Sequence, residues 1–91
     1  MLNIDFSTHA IKFLKKISGK PAKQIRKKLD ELRENPYPHD SAKLVGYQYH
    51  RVDCGEYRII YTVVNDTLEI KVAGKRNDDE VYKKLKRFEG R

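Results

Sequence analysis

Three arginines in the second half of the chain are the residues whose types and spacing could do chemistry. Arg58 lies inside the most apolar segment of the sequence, residues 57–64, where a charged side chain needs a carboxylate partner or a bound anion. Arg51 precedes it across a short turn, and Arg76 follows the next β-prone segment. Guanidinium groups bind phosphate bidentately and stabilise charge that develops on a phosphoryl oxygen. The pattern therefore predicts a phosphate-handling site formed by Arg51, Arg58 and Arg76.

Tyr82 is predicted in the first turn of the last helix, close to Arg76. An exposed tyrosine among arginines can stack on a base or contact a reacting hydroxyl, although packing of its ring on the sheet is a serious alternative. The arginines also have a simpler interpretation, which is an ion-pair network without a ligand. Glu69 is the carboxylate named as a partner for Arg58, and the wider network would include Asp53, Glu56 and Glu69.

The neighbours of these residues complete the predicted site. The substrate-binding candidates are Tyr49, His50, Lys75 and Lys83. The three histidines and the single cysteine have no metal-ligand spacing, and the five glycines form no phosphate-binding loop. We therefore expect no metal and no cofactor.

Composition bounds the class of protein and its partners. The 91 residues carry a net charge of +7, which favours a polyanionic partner: nucleic acid, an anionic membrane surface or an acidic protein. One cysteine cannot form an internal disulfide, and no apolar run approaches the length of a membrane span. Because no signal peptide is evident either, we expect a soluble, cytoplasmic protein with one domain over residues 1–91.

The hydrophobic pattern predicts an α+β fold in the order β-α-α-β-β-β-α. Two amphipathic helices follow the first strand, the second with Pro21 in its first turn and its end near Asn35. Residues 35–47 are predicted as a loop, and a capping box of Asn77 and Glu80 opens a last helix with Val81, Leu85 and Phe88 against the sheet. The predicted strands are residues 2–6, 49–54, 57–64 and 67–75, and in the last of these Leu68, Ile70 and Val72 share one face. We expect a helical hairpin packed on a mostly antiparallel four-stranded sheet.

Two segments resemble the signatures of the RelE/ParE superfamily of bacterial and archaeal toxins. Residues 51–61, with Gly55-Glu56-Tyr57-Arg58 at their centre, look like its strand-turn-strand signature. Gly74-Lys75-Arg76 followed by Val81-Tyr82 is similar to the second signature. The opening strand, the helical hairpin and Asn35-Pro36 also fit, so the resemblance covers essentially the whole chain and implies a single RelE-like toxin domain.

The resemblance implies a toxin of a toxin–antitoxin system, with a small antitoxin protein as its partner. RelE-like members cut messenger RNA on the ribosome, without a metal, when a ribose 2′-OH attacks the adjacent phosphate and leaves a 2′,3′-cyclic phosphate. Arg58 would then stabilise the transition state, Arg76 would assist the leaving group or the phosphate, and Tyr82 would stack on or orient the substrate. Arg51 would bind phosphate or support the general base.

One departure from the RelE pattern concerns the general base. The best-known RelE-type sites use lysines on the strand that here carries Tyr49, Arg51 and Asp53, and an arginine is a poor base because it stays protonated. His50 or Lys75 could serve instead, or positioning could dominate. Retention of both arginines and the tyrosine favours an mRNA endoribonuclease. The alternatives are a ParE-like inhibitor of DNA gyrase and an inactive member that only binds its antitoxin and helps repress its own operon.

Overall fold

The computed structural model describes residues 1–78 and 80–90, and it describes side chains over residues 1–77 and 80–87. The elements in chain order are strand β1 (Asn3–Phe6), helices α1 (Thr8–Lys15) and α2 (Gly19–Glu34), strands β2 (Ser41–Lys43), β3 (His50–Cys54), β4 (Tyr57–Val64) and β5 (Thr67–Lys75), a 3₁₀ turn (Arg76–Asp78) and helix α3 (Glu80–Gly90).

The sheet has the strand order β1-β5-β4-β3-β2, with β1 parallel to β5 and every other pair antiparallel. The predicted α+β class and helical hairpin are confirmed, but the predicted count of four strands is wrong. The fifth strand, Ser41–Lys43, lies inside the segment predicted as a loop and pairs with β3. Three residues are too few to show a hydrophobic period, so the sequence gives no signal for this strand.

Local sequence signals shape the helical hairpin as expected. The Ser7 side chain caps α1 by accepting a hydrogen bond from a backbone N–H of its first turn. Gly19 has a φ of +67° where the chain turns between the helices, and Pro21 lies in the first turn of α2. Helix α2 ends at Glu34, just before Asn35-Pro36.

The two faces of the sheet bury different cores. The hairpin packs on one face, where Leu29, Leu32 and Tyr61 belong to the larger cluster. Helix α3 covers part of the other face, where Val81 and Leu85 are fully buried in a smaller cluster. Successive side chains of a strand point to opposite faces, so each strand residue belongs to the hairpin face or to the α3 face.

An irregularity in the pairing of β4 with β5 changes one predicted face. Ile60 pairs with Val72 and Tyr61 pairs with Ile70, so Lys71 is an extra residue between them. The extra residue moves Val72 into the α3-side cluster, whereas Ile70 remains in the hairpin-side cluster. The prediction that Leu68, Ile70 and Val72 share one face is therefore wrong at Val72.

Helix α3 does not begin with the predicted capping box of Asn77 and Glu80. Asn77 lies in the 3₁₀ turn, and α3 begins three residues later at Glu80. The Glu80 carboxylate accepts the backbone N–H of Lys75 at 3.0 Å, which ties the start of α3 to the end of β5. Gly74 makes this approach possible, because a Cβ there would lie 2.8 Å from Glu80 Oε1 and 3.2 Å from Val81 Cγ1.

Val81 and Leu85 face the sheet as predicted, and the side chain of Phe88, the third predicted inner residue of α3, lies outside the described side chains. Over residues 1–78 and 80–90, no helix combines the length and the apolar composition that a membrane crossing needs.

Candidate functional site

The guanidinium group of Arg58 is the centre of a hydrogen-bonded group on the α3 face. Arg58 lies opposite Asp53 of β3 and Gly74 of β5, so the sheet register fixes its neighbours. Its Nε is 2.6 Å from Asp53 Oδ1 and its Nη2 is 3.1 Å from Asp53 Oδ2. Its Nη1 donates to the Tyr82 hydroxyl at 2.8 Å. The side chain is held by a bidentate carboxylate on one edge and a phenol on the other.

Asp53 joins the two arginines of the site. Its Oδ2 is also 3.5 Å from Nη1 of Arg76, so one carboxylate faces two guanidinium groups. The hydrogen bond from Arg58 is the main reason that the pKa of Asp53 is held below its usual range. The same hydrogen bond raises the pKa of Arg58 further above neutrality. At neutral pH the three side chains therefore carry two positive charges and one negative charge.

Asp53 was not among the predicted site residues, and Glu69 is not the partner of Arg58. Glu69 lies opposite Thr62 and forms an ion pair with Lys71 at 3.0 Å. The signal for Asp53 was already present in the predicted strands 49–54 and 57–64, which leave two residues between them. Gly55, with a φ of +61°, and Glu56 form a two-residue turn, and such a turn pairs position 53 with position 58.

Arg76 contributes a more exposed guanidinium than Arg58. Its backbone N–H donates to the Glu56 carbonyl at 3.0 Å, which fixes the chain where β5 ends. Its side chain is 51% exposed, against 16% for that of Arg58. Arg58 is thus the fixed cation of the site, and Arg76 is a cation that solvent and a ligand can reach.

Tyr82 packs on the sheet, which is the structural interpretation given for it, and it also contacts Arg58. Its ring packs against the buried cluster that includes Ile60 and Val72, as a structural residue of α3 would. Its hydroxyl accepts the hydrogen bond from Arg58, and Arg58 Cζ lies 5.8 Å from the ring centroid. The packing of α3 therefore places a phenol hydroxyl directly beside the central guanidinium.

Two further predicted residues lie on the same face but outside this hydrogen-bonded group. Arg51 is two residues from Asp53, about 6.6 Å away along β3, and faces the same side of the sheet. Tyr49 stacks against Tyr47 at 6.0 Å, with Lys71 Nζ 5.9 Å from its ring centroid. On this face of the sheet, the half-buried Arg51 follows Asp53, and the stacked rings of Tyr49 and Tyr47 lie beyond Arg51.

Of the remaining substrate-binding candidates, His50 and Lys75 lie on the hairpin side of the sheet. His50 points to the hairpin face, between the rings of Tyr37 and Tyr61. Lys75 is exposed at the end of β5, opposite Tyr57, whose ring is on the hairpin face. Lys83 is exposed on α3. As for a metal, the described residues contain no group of three or more His, Cys, Asp and Glu side chains arranged to hold an ion.

The environment of His50 favours its neutral form. Its Nδ1 is buried without a hydrogen-bond partner among the described residues. Burial lowers the pKa of His50, and the positive charge of Lys43 lowers it further. An uncharged imidazole between two aromatic rings contributes packing here, and protonation would bury a charge.

We expect His50 to make the fold less stable in mildly acidic solution. Because its pKa is lower in the fold than in the unfolded chain, its stabilising contribution is complete above about pH 6.5. It is lost as the pH falls from there through the folded-state pKa. Thermal unfolding between pH 7.5 and 5 measures the effect, and His50→Phe should flatten that dependence while His39→Gln, a change at an exposed histidine, keeps it. Equal slopes for His50→Phe and the unmodified protein would contradict this account.

Comparisons with known proteins identify the family and the fold of this chain. The profile of the family described as ParE toxin of type II toxin-antitoxin system, parDE, matches residues 4–80. The isolated RelE toxin of E. coli is 28% identical, covers 97% of this chain and 99% of its own, and superposes with a TM-score of 0.75. RelE in the intact E. coli RelBE toxin-antitoxin complex is 26% identical over 85% and 99% of the two chains, with a TM-score of 0.74.

A Staphylococcus aureus structure, the YoeB-YefM complex, also matches, with 25% identity over 84% and 98% of the chains and a TM-score of 0.68. A comparison with curated protein sequences finds no match. The fold of the chain is that of the RelE and YoeB structures, and the family profile spans most of its length. The chain belongs to the ParE toxin family of type II toxin–antitoxin systems, within the RelE/ParE superfamily.

Proposed function

We propose that this toxin is an endoribonuclease that cuts messenger RNA on the ribosome and so inhibits translation. The observation that carries the proposal is the group formed by Arg58, Arg76 and Tyr82 around one carboxylate on the α3 face. Two guanidinium groups that share a single two-oxygen anion have the geometry that a phosphate group requires. The nearby exposed end of Arg76 gives a ligand access to them.

In this proposal the ribose 2′-OH attacks the adjacent phosphorus, and the bond from phosphorus to the 5′ oxygen breaks. The products are a 2′,3′-cyclic phosphate and a 5′-hydroxyl. Arg58 stabilises the charge that builds up on the phosphoryl oxygens, and Arg76 reaches the phosphate or the leaving oxygen from the solvent side. Tyr82 orients Arg58 through its hydroxyl, and its ring stacks on or orients the substrate.

Most of the rate acceleration should come from alignment of the 2′-OH with the phosphate and from stabilisation of the charge on the phosphoryl oxygens. His50 faces the other side of the sheet, so it is not in place to take the proton of the 2′-OH. Asp53 is in place, but its lowered pKa makes it a weak base. Alignment of the attacking hydroxyl with the phosphate, which a ribosome-bound message can supply, then becomes the main source of rate.

We further propose that an antitoxin protein binds this toxin in the cell. The toxin relatives in two of the matched structures were solved bound to partners, RelBE and YoeB-YefM. The net charge of +7 makes an acidic partner favourable, because it offsets self-repulsion in a small domain. Binding to the native state alone would also stabilise the toxin by mass action.

Translation in vitro tests the proposal and separates it from the alternatives. Purified toxin should stop protein synthesis, and primer extension should show cuts within the translated message. The same RNA without ribosomes shows whether cleavage depends on the ribosome. Intact message together with inhibited DNA supercoiling would support gyrase inhibition instead. This alternative hypothesis corresponds to the ParE name of the matched family. Neither effect would indicate an inactive antitoxin-binding protein.

A further inference from the structure

The carboxylate of Asp53 occupies a bidentate edge of Arg58 that a phosphate could use. Arg58 offers its Nε and Nη2 donors as a fork, and Asp53 accepts both, at 2.6 Å and 3.1 Å. A phosphate oxygen pair would use the same two donors, because carboxylate and phosphate accept from a guanidinium in the same bidentate way. The third donor position, Nη1, is bound to the Tyr82 hydroxyl. A phosphate therefore meets Arg58 with its Nε–Nη2 edge already in use, and only one N–H on each of Nη1 and Nη2 lies outside these three hydrogen bonds.

We propose that Asp53 is an internal competitor for the phosphate site, which it holds closed until an RNA phosphate displaces it. The inference rests on the proposed function, since it takes the ligand of Arg58 and Arg76 to be an RNA phosphate. It adds a specificity-determining role for a residue that contributes neither a cation nor a ring to the site.

The differences in exposure indicate how displacement proceeds. The Arg58 side chain is 16% exposed and is fixed from its far side by Tyr82, so it keeps its place. The Asp53 side chain is 31% exposed, and it can turn towards water without losing its hydration. Arg76 touches Asp53 at 3.5 Å and is 51% exposed, so it can transfer from the carboxylate to the phosphate.

The competition has a thermodynamic consequence. A site that is ready for ligand only part of the time binds more weakly in proportion to that fraction. A free phosphate ion must then compete with a carboxylate that belongs to the same chain and is therefore always present at the site. A phosphate that is held in place by other contacts, as in a bound RNA strand, has the effective concentration to displace it. Asp53 thus keeps free phosphate off the site under conditions in which an RNA strand with further contacts still binds.

The test is the affinity of the whole protein for a single-stranded RNA hexamer with 2′-O-methyl riboses, which cannot be cut by 2′-OH attack. Asp53→Asn keeps the size of the side chain and removes its charge. Glu56→Gln is the matched control, because it removes one exposed negative charge from the adjacent turn. We expect Asp53→Asn to bind at least about fivefold tighter than Glu56→Gln in fluorescence anisotropy at one fixed salt concentration.

Equal or weaker binding by Asp53→Asn than by Glu56→Gln would overturn the proposal, and so would undetectable binding by both. If Asp53 only supported the structure of the site, Asp53→Asn would weaken RNA binding instead of strengthening it. Because the assay needs neither ribosomes nor cleavage, tighter binding by a protein that cuts no message would uphold this inference while the proposed function fails.

A second measurement uses the unmodified chain, in case Asp53→Asn does not fold. The ¹³C resonance of the Asp53 carboxyl group is followed while the same RNA is added. We expect it to move on saturation as the carboxylate leaves Arg58, together with the Nε–H resonance of Arg58. An Asp53 resonance that stays in place while the RNA binds would show that the carboxylate is not displaced, and the proposal would be wrong.

Discussion

Arg58→Ala should reduce message cleavage by roughly 10²- to 10³-fold, the usual cost of removing one transition-state donor. Arg58 is less exposed than Arg76, and it holds the Tyr82 hydroxyl in place. Its loss removes the charge nearest the proposed phosphate and also releases the Tyr82 side chain. The measurement is the cleavage rate in a translating extract, normalised to the folded fraction from circular dichroism.

Arg58→Lys should recover little of that loss. A lysine keeps the charge, but its single ammonium group cannot offer a phosphate the two-donor edge of a guanidinium while it also donates to the Tyr82 hydroxyl. Arg26→Ala is the matched control, because it removes one exposed arginine from α2, away from the α3 face, and should cleave like the unmodified protein. Full cleavage by Arg58→Ala would show that the site is assigned to the wrong residues.

Arg76→Ala should reduce cleavage by about 10- to 100-fold, the range expected for one hydrogen bond to a charged group. Its effect on folding should be small, within about 0.5 kcal/mol in the free energy of unfolding, because the side chain is half exposed. The backbone hydrogen bond from Arg76 to Glu56 does not depend on the side chain and persists in the variant. Cleavage rates and urea unfolding curves of the same preparation measure both quantities.

Arg76→Lys provides a comparison for that result. The extended lysine can still place a charge near the phosphate, so we expect it to recover a larger part of the activity than Arg58→Lys does. If Arg76→Ala cleaves normally while Arg58→Ala does not, Arg76 is only a surface partner of Asp53. The site would then have a single catalytic arginine.

The grouping of the arginines could be predicted from the sequence because it depends on local geometry. Two β-prone segments joined by a two-residue turn place Arg58 beside Asp53, and the strand that follows carries Arg76 to the same end of the sheet. The predicted strand ends at residues 54 and 57 already imply the two-residue turn that selects Asp53 rather than Glu69. The side to which His50 points follows from alternation, because His50 is the strand neighbour of Arg51.

The parts of the fold that the sequence did not predict share a physical cause. Strand β2 is only three residues long, and its pairing with β3 depends on a neighbour that is distant in sequence rather than on its own pattern. The extra residue Lys71 shifts Val72 to the α3 face without any break in the alternating pattern of β5. The start of α3 at Glu80 reflects the bond between Glu80 and Lys75, a tertiary contact that outweighs the apparent capping box.

The chemistry of the cut ends tests the central claim most directly. Messages from a translating extract treated with the toxin can be mapped, and the 3′ end of each upstream fragment identified by its reactivity to phosphatase and to ligases. We expect a 2′,3′-cyclic phosphate on that fragment and a 5′-hydroxyl on the downstream one, with both absent from extracts treated with Arg58→Ala. Fragments that end in a 3′-hydroxyl and a 5′-phosphate, or an uncut message, would contradict an RNA-cleaving role for Arg58, Arg76 and Tyr82.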